Sequence, residues 1–106
     1  MREIDVAALA AAGDDTVVID VREPGEYATG HVPGARLIPM GQVPGRLAEI
    51  PRDRRVYVVC ASGNRSYSVT SFLVSAGYDA YSVAGGTAAW ARSGRAVVRG
   101  REQVAG

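Results

Sequence analysis

The stretch VYVVCASGNRS, residues 56–66, decides the fold. Its first four residues are apolar and either β-branched or aromatic, which favours a strand. A continuous apolar run, rather than an alternating one, is typical of a strand buried on both faces of a parallel sheet. The small and polar residues 61–66 then predict a loop that leads into a helix, with Cys60 at the junction. The stretch therefore indicates an α/β fold with a cysteine at the carboxyl end of a central strand.

Segments on either side of this stretch extend the same alternation. Residues 17–21 form a second continuous apolar run, and residues 35–38 and 80–83 are weaker strand candidates. Helix-like segments lie between the strands, and they are residues 6–12, 23–29, 43–50, 66–76 and 87–92. Pro24 lies near the start of one helix, whereas Gly13, Gly77 and Gly94 each follow one. Strands that alternate with helices predict a layered α/β sandwich.

Length and composition predict one domain. The chain has 106 residues, 47% of them hydrophobic, and contains no repeat or low-complexity segment. This is room for a single core. We expect one domain over residues 1–106, with a core over about 4–95 and a C-terminal tail over 96–106.

The charge pattern argues against several partners. Twelve basic and eleven acidic residues give a net charge of +1, without a long run of one sign, so no nucleic-acid partner is indicated. Residues 1–5 lack the apolar core of an export signal, and no apolar stretch is long enough to span a membrane. We therefore expect a cytoplasmic protein without a membrane partner. All basic residues are arginines, which together with abundant Ala, Gly and Val suggests a bacterial origin.

Cys60 is the candidate nucleophile. At a strand-to-helix turn, backbone N–H groups and the positive end of the helix dipole favour a thiolate. Arg65 adds a positive charge, and Gly63 permits a tight turn. A lone cysteine after an apolar strand is more often a buried hydrophobic residue, but the polar loop around it favours a reactive one. With one Cys and one His, the chain offers no internal disulfide and no credible zinc site, and we expect no metal or cofactor.

Four segments, taken in order, carry a resemblance to a known family. Residues 60–66, CASGNRS, resemble the active-site loop of the rhodanese family of sulfurtransferases. The segment Asp20-Val21-Arg22 with Glu26, the segment GHVPGA at residues 30–35 and the segment GGTAAW at residues 85–90 resemble its other signatures. Together they run from about residue 17 to residue 92, so the resemblance covers nearly the whole chain.

The resemblance implies a fold and a function. We expect a single rhodanese-like domain with a central, mainly parallel, five-stranded sheet and helices on both faces. We expect a thiosulfate sulfurtransferase-like enzyme that moves a sulfane sulfur from a small anionic donor to a thiol, protein-thiol or cyanide acceptor. Cys60 would carry the sulfur as a persulfide. The expected donor-binding residues are those of the loop, namely Ala61, Ser62, Gly63, Asn64, Arg65 and Ser66.

Three polar residues outside the loop receive supporting roles. Asp20 and Arg22, at a strand end, are expected to form an ion pair that supports the pocket, or to contribute to its field. His31 lies in a rigid Gly-Pro turn, where hydrogen bonding to the backbone is more typical than action as a general base.

Three alternatives stay open at this point. The first is a persulfide carrier that takes sulfur from a desulfurase for a biosynthetic partner. The second is a phosphatase or arsenate reductase of the dual-specificity type, which is disfavoured because only four residues separate Cys60 from Arg65, where those enzymes have five. The third is a non-catalytic interaction module, which commonly lacks the cysteine. Ala61 stands where several thiosulfate-specialised relatives have a basic residue, which makes the loop less cationic.

Overall fold

Five parallel strands form the central sheet of the computed structural model, which describes residues 2–13 and 15–100. Every pairing is parallel, and the spatial order is β1-β5-β4-β2-β3. The two central neighbours, β2 and β4, pair from Val17 opposite Val56 to Asp20 opposite Val59. The strands are β1 Glu3–Ile4, β2 Val17–Asp20, β3 Arg36–Leu37, β4 Val56–Val59 and β5 Ala80–Val83.

Helices cover both faces of this sheet. The α-helices are α1 Val6–Ala11, α2 Pro24–Thr29, α3 Asn64–Ser75 and α4 Gly86–Arg92. A 3₁₀ segment, Met40–Glu49, follows β3, and its helical path is interrupted at Arg46. One core cluster joins the sheet to α3 and the 3₁₀ segment, and a second joins it to α1, α2 and α4.

The central strands supply side chains to both clusters. Along β4, Val56 and Val58 face the α3 side together with Cys60, whereas Tyr57 and Val59 face the other side. Successive strand side chains point to opposite faces, so a strand buried on both faces must be apolar throughout. The continuous apolar run of β4 is therefore explained by burial on both faces of the sheet, as predicted. The expected five-stranded parallel sheet with helices on both faces is confirmed.

Several element boundaries differ from the predicted ones. The short edge strand β1 was not among the strand candidates, because two residues carry no periodic signal. The predicted helix over residues 43–50 is the 3₁₀ segment, which contains Pro44. Helix α3 begins at Asn64 rather than at Ser66, because Gly63 takes a left-handed conformation with φ 114° and turns the chain directly into the helix. The loop after Cys60 is thus shorter than predicted.

The segment after α4 returns to the domain. His31 and Val98 form an antiparallel bridge, and the Trp90 indole Nε1 donates to the Ala96 carbonyl at 2.8 Å. Residues 101–106 of the expected tail lie outside the described residues, so the division into core and tail stays a prediction. Among the described residues, none of the helices has the length and apolar character needed to cross a membrane.

A buried ion pair closes the carboxyl end of β2. The Arg22 guanidinium contacts both Asp20 carboxylate oxygens, with Nη2 to Oδ2 at 2.9 Å, and also donates to the Gly30 carbonyl at 2.8 Å. The Arg22 amide adds a bond to Asp20 Oδ1 at 3.0 Å. Both residues are buried, and Asp20 pairs in register with Val59, the residue before Cys60. The pair thus ties the end of β2 to the turn after α2, and its support of a pocket stays a prediction.

Replacing Arg22 by Leu should destabilise the domain strongly, because it leaves the Asp20 carboxylate buried without its cation. The expected loss is about 3–5 kcal/mol of unfolding free energy, measured by urea denaturation at neutral pH. Arg54→Leu is the matched control, since the Arg54–Asp53 contact is long, at 3.7 Å, and exposed. Its loss should stay below about 1 kcal/mol. Equal losses in the two variants would contradict the structural role of the buried pair.

Candidate active site

Cys60 directly follows β4 and is almost fully buried, with 1% of its surface exposed. The Gly63 amide donates to its Sγ at 3.1 Å. The Ser66 hydroxyl, in the first turn of α3, lies 3.5 Å from the same sulfur. The sulfur therefore lies at the amino end of a twelve-residue helix, in contact with a backbone amide and a hydroxyl. Such a setting stabilises negative charge on sulfur.

A second serine supports Ser66 from the sheet. Ser82 of β5 is fully buried, and its Oγ lies 2.8 Å from the Ser66 Oγ. The Ser66 hydroxyl also lies 3.1 Å from the Gly63 carbonyl, to which it donates when the thiol is protonated. When Cys60 is ionised, the Ser66 hydroxyl can turn its proton to the sulfur and accept one from Ser82. Ser82 was missed by the sequence analysis, although a serine within a buried strand is a signal for a polar partner.

These contacts set the acidity of the thiol. Burial raises the pKa of Cys60, but the Ser66 side chain and the amides of Ser66, Gly63 and Ser62 outweigh it, so the pKa lies below the ordinary cysteine value. The thiolate is therefore favoured mainly by neutral donors. The sequence of the loop predicts this contribution of its amides.

The start of α4 holds the cysteine turn in place. The Thr87 amide donates to the Cys60 carbonyl at 2.8 Å, and the Ala88 amide donates to the Ala61 carbonyl at 3.0 Å. This contact requires Gly86, because a Cβ there would lie 2.3 Å from the Cys60 carbonyl oxygen. Gly86 also has a φ of +57°. The GGTAAW segment, which carries part of the family resemblance, thus anchors the cysteine turn.

The Arg65 side chain is held in an ion pair. Its two terminal nitrogens donate to the two carboxylate oxygens of Glu26 on α2, at 2.7 and 2.8 Å. The Arg65 hydrogen bond, followed by one from the Glu23 amide, lowers the pKa of Glu26 to about 2. Arg65 still lies near enough to Cys60 for an electrostatic interaction between them. Glu26 has no role predicted from the sequence, because 39 residues separate it from Arg65.

The other expected site residues surround the turn in different ways. Ala61 is held through its carbonyl, Ser62 is exposed, and Asn64 opens α3. His31 is buried, with Nδ1 2.9 Å from the Tyr27 carbonyl and its ring stacked on the Tyr27 ring at 3.6 Å. This agrees with the structural role expected for it. Over residues 2–13 and 15–100, no cluster of three or more His, Cys, Asp or Glu side chains has the arrangement of a metal site.

This geometry defines a class of protein, an α/β domain with a cysteine at the carboxyl edge of a parallel sheet, where ligands of such sheets bind. The Rhodanese-like domain family matches residues 5–93, so the chain belongs to that family.

Similar proteins agree with this assignment. A sulfurtransferase from Allochromatium vinosum is 40% identical over 102 residues, which is 92% of this chain and 95% of that protein. The thiosulfate sulfurtransferase GlpE of Pseudoalteromonas translucida is 35% identical, over 73% of this chain and 74% of its own length. The crystal structure of a rhodanese-related protein from Thermoplasma volcanium matches with a TM-score of 0.89 and 33% identity, over 96% of this chain and all of that one.

Replacing Ser66 by Ala should raise the pKa of Cys60 towards the ordinary value, because the side-chain hydrogen bond is lost. The check is the pH dependence of the rate of alkylation of Cys60 by iodoacetamide, since only the thiolate reacts. Ser75→Ala, at the exposed end of the same helix, is the control and should leave the profile unchanged. An unchanged alkylation profile for Ser66→Ala would show that the hydroxyl does not stabilise the Cys60 thiolate.

Replacing Gly86 by Ala should displace the cysteine turn, since its methyl group would meet the Cys60 carbonyl. We expect a loss of more than about 2 kcal/mol of unfolding free energy and a shifted Cys60 alkylation profile. Gly94→Ala is the control, because Gly94 also has positive φ, at +84°, but open space around it. It should cost only about 1 kcal/mol and leave the alkylation profile alone. Equal effects of the two substitutions would show that Gly86 is needed only for its positive φ and not for its close approach to Cys60.

Proposed function

We propose that this protein is a sulfurtransferase that carries a sulfane sulfur on Cys60 as a persulfide. The observation that supports it most is the contact of the Cys60 sulfur with the Gly63 amide, beside the Ser66 hydroxyl. These donors stabilise a thiolate before the reaction and are placed to stabilise an anionic persulfide after it. The sequence resemblance and the names of the relatives support the same reaction.

The first half-reaction loads the enzyme. The Cys60 thiolate attacks the outer sulfur of a donor such as thiosulfate, and a new S–S bond forms. The S–S bond of the donor breaks, sulfite leaves with the electron pair, and the negative charge passes to the terminal sulfur of the persulfide. Ser66, backed by Ser82, supplies a hydroxyl that can follow this charge, and the Gly63 amide already contacts the Cys60 sulfur.

The second half-reaction unloads it. A thiolate or cyanide attacks the terminal sulfur, and the Cys60 thiolate leaves and returns to the same contacts. Because the enzyme alternates between two covalent forms, ping-pong kinetics should result. Cys60 is the only cysteine of the chain, so the acceptor must be external. A cytoplasmic location and a bacterial origin stay predictions of the sequence.

A persulfide carrier is the second candidate, and two observations on the charge of the site favour it. Ala61 adds no positive charge to the loop, and the Arg65 charge is matched by Glu26. A site of this kind suits sulfur donors other than small dianions, including the persulfide of a desulfurase. The dual-specificity phosphatase alternative stays disfavoured by the four residues between Cys60 and Arg65.

Incubation with thiosulfate should add one sulfur atom to Cys60, detected by intact-protein mass spectrometry. The added mass should disappear with cyanide or dithiothreitol and should be absent from Cys60→Ser. Aryl phosphate hydrolysis is measured in parallel and should stay at background. Loading by a desulfurase but not by thiosulfate would select the carrier. Cys60-dependent phosphate hydrolysis without any persulfide would overturn the proposal in favour of a phosphatase.

A further inference from the structure

The pair formed by Arg65 and Glu26 has a feature that the proposed reaction does not use. Both terminal nitrogens of the guanidinium face the two carboxylate oxygens, so the contact is bidentate. Bidentate pairs of this kind are among the stronger and more directional ion pairs. The two side chains are about equally exposed, at 36% and 37%. The pair thus lies at the surface, where an incoming donor meets its combined charge.

Glu26 is held for this contact by its own helix. Its Oε1 also accepts from the Glu23 amide at 3.1 Å, within a capping box at the start of α2. The carboxylate is therefore oriented from α2 and the guanidinium from α3. Because the pKa of Glu26 is about 2, the carboxylate keeps its charge over the whole pH range in which the protein would be assayed.

The charges beside Cys60 cancel in pairs. Asp20 and Arg22 form one neutral pair, and Glu26 and Arg65 form the second. Ala61 brings no charge. A dianion that approaches the sulfur therefore meets backbone amides and hydroxyls but little net positive potential.

We propose that Glu26 is a specificity-determining residue that acts through Arg65, setting the donor site near zero net charge so that it selects sulfur donors of low charge over dianions. This inference rests on the proposed sulfurtransferase function and adds to it the class of donor. Glu26 does not touch the reacting sulfur, so its action is on donor binding rather than on the chemical step.

The test is a charge series at the Glu26–Arg65 pair. Relative to the wild type, Glu26→Gln adds one positive charge, Arg65→Gln removes one, and the double variant restores neutrality. Gln at position 26 keeps an oxygen that can accept from the Glu23 amide, so the capping contact is preserved. The KM for thiosulfate should be lowest in Glu26→Gln, highest in Arg65→Gln, and near the wild-type value in the double variant.

The size of the change should follow the charge of the donor. For thiosulfate, a dianion, Glu26→Gln should lower KM about three- to tenfold at low salt, and for methanethiosulfonate, a monoanion, about two- to threefold. Raising the ionic strength should shrink both changes, because salt screens exposed charges. The kcat should change less than KM, since the pair acts on binding.

Two control variants separate charge from structure. Glu26→Asp keeps the negative charge and should retain a KM near the wild-type value. Glu49→Gln breaks a similar bidentate contact with Arg46, at 2.7 Å for both bonds, at the end of the 3₁₀ segment. The Glu49 carbonyl accepts from Arg36 of the edge strand β3, which β2 separates from β4 and Cys60. Glu49→Gln should therefore leave the KM for thiosulfate unchanged.

A binding measurement keeps this test independent of sulfur transfer. Sulfate, a dianion, and methanesulfonate, a monoanion, are titrated for their ability to protect Cys60 from iodoacetamide in the same variants. Protection by sulfate should strengthen in Glu26→Gln by more than protection by methanesulfonate. This ordering supports the role of Glu26 in anion selection even where Cys60 hydrolyses phosphate without forming a persulfide, which is the result that overturns the proposed function.

The inference is overturned by either of two results. One is a KM for thiosulfate that rises in Glu26→Gln, because Glu26 would then serve to position Arg65 for binding the anion. The other is an equal effect of Glu26→Gln and Glu49→Gln in both the kinetic and the protection measurements. Thermal unfolding of each variant, which should be near that of the wild type for Glu26→Asp, shows that the comparison concerns folded protein.

Discussion

The site depends on one backbone contact, between the cysteine turn and the start of α4. Amides of Thr87 and Ala88 donate to the carbonyls of Cys60 and Ala61, and Gly86 is the residue that lets the two chains approach. Because Gly86 has no Cβ, the amides of α4 can reach these two carbonyls. With the turn held in this way, the Gly63 amide donates to the Cys60 sulfur. A contact made only by main-chain atoms therefore holds the turn that carries the Cys60 side chain.

The topology brings the remaining parts of the site together at the same edge of the sheet. Because all pairings are parallel, the carboxyl ends of β2, β4 and β5 lie side by side. β2 ends in the Asp20–Arg22 pair, β4 ends at Cys60, and β5 supplies Ser82. α2 then brings Glu26 to Arg65 at the start of α3. The site is thus shared among elements that are distant in sequence, and each element is oriented by the common sheet.

The sequence predicts those features that have a local cause. The bounds of β4 and β5 match the predicted ones, and Cys60 lies where the change from apolar to polar residues placed it. By contrast, β1 pairs with β5 across most of the chain and is too short to show a pattern. The partner of Arg65 and the serine behind Ser66 are likewise fixed by tertiary packing. From the sequence alone, the Arg65 charge is predicted to be unpaired, because no nearby residue indicates the contact with Glu26.

The distribution of charge explains how a site can favour a thiolate without attracting every anion. The donors that lower the Cys60 pKa most are neutral, namely the Ser66 hydroxyl and the amides of the turn, and their effect is short in range. A free arginine would extend the potential further and concentrate dianions around the site. Because Glu26 balances the charge of Arg65, the site stabilises negative charge mainly at short range, on an atom that is already in contact with the Cys60 sulfur. Under the proposed function, the reactivity of Cys60 and its choice of donor should therefore respond to separate substitutions, at Ser66 for the first and at Glu26 for the second.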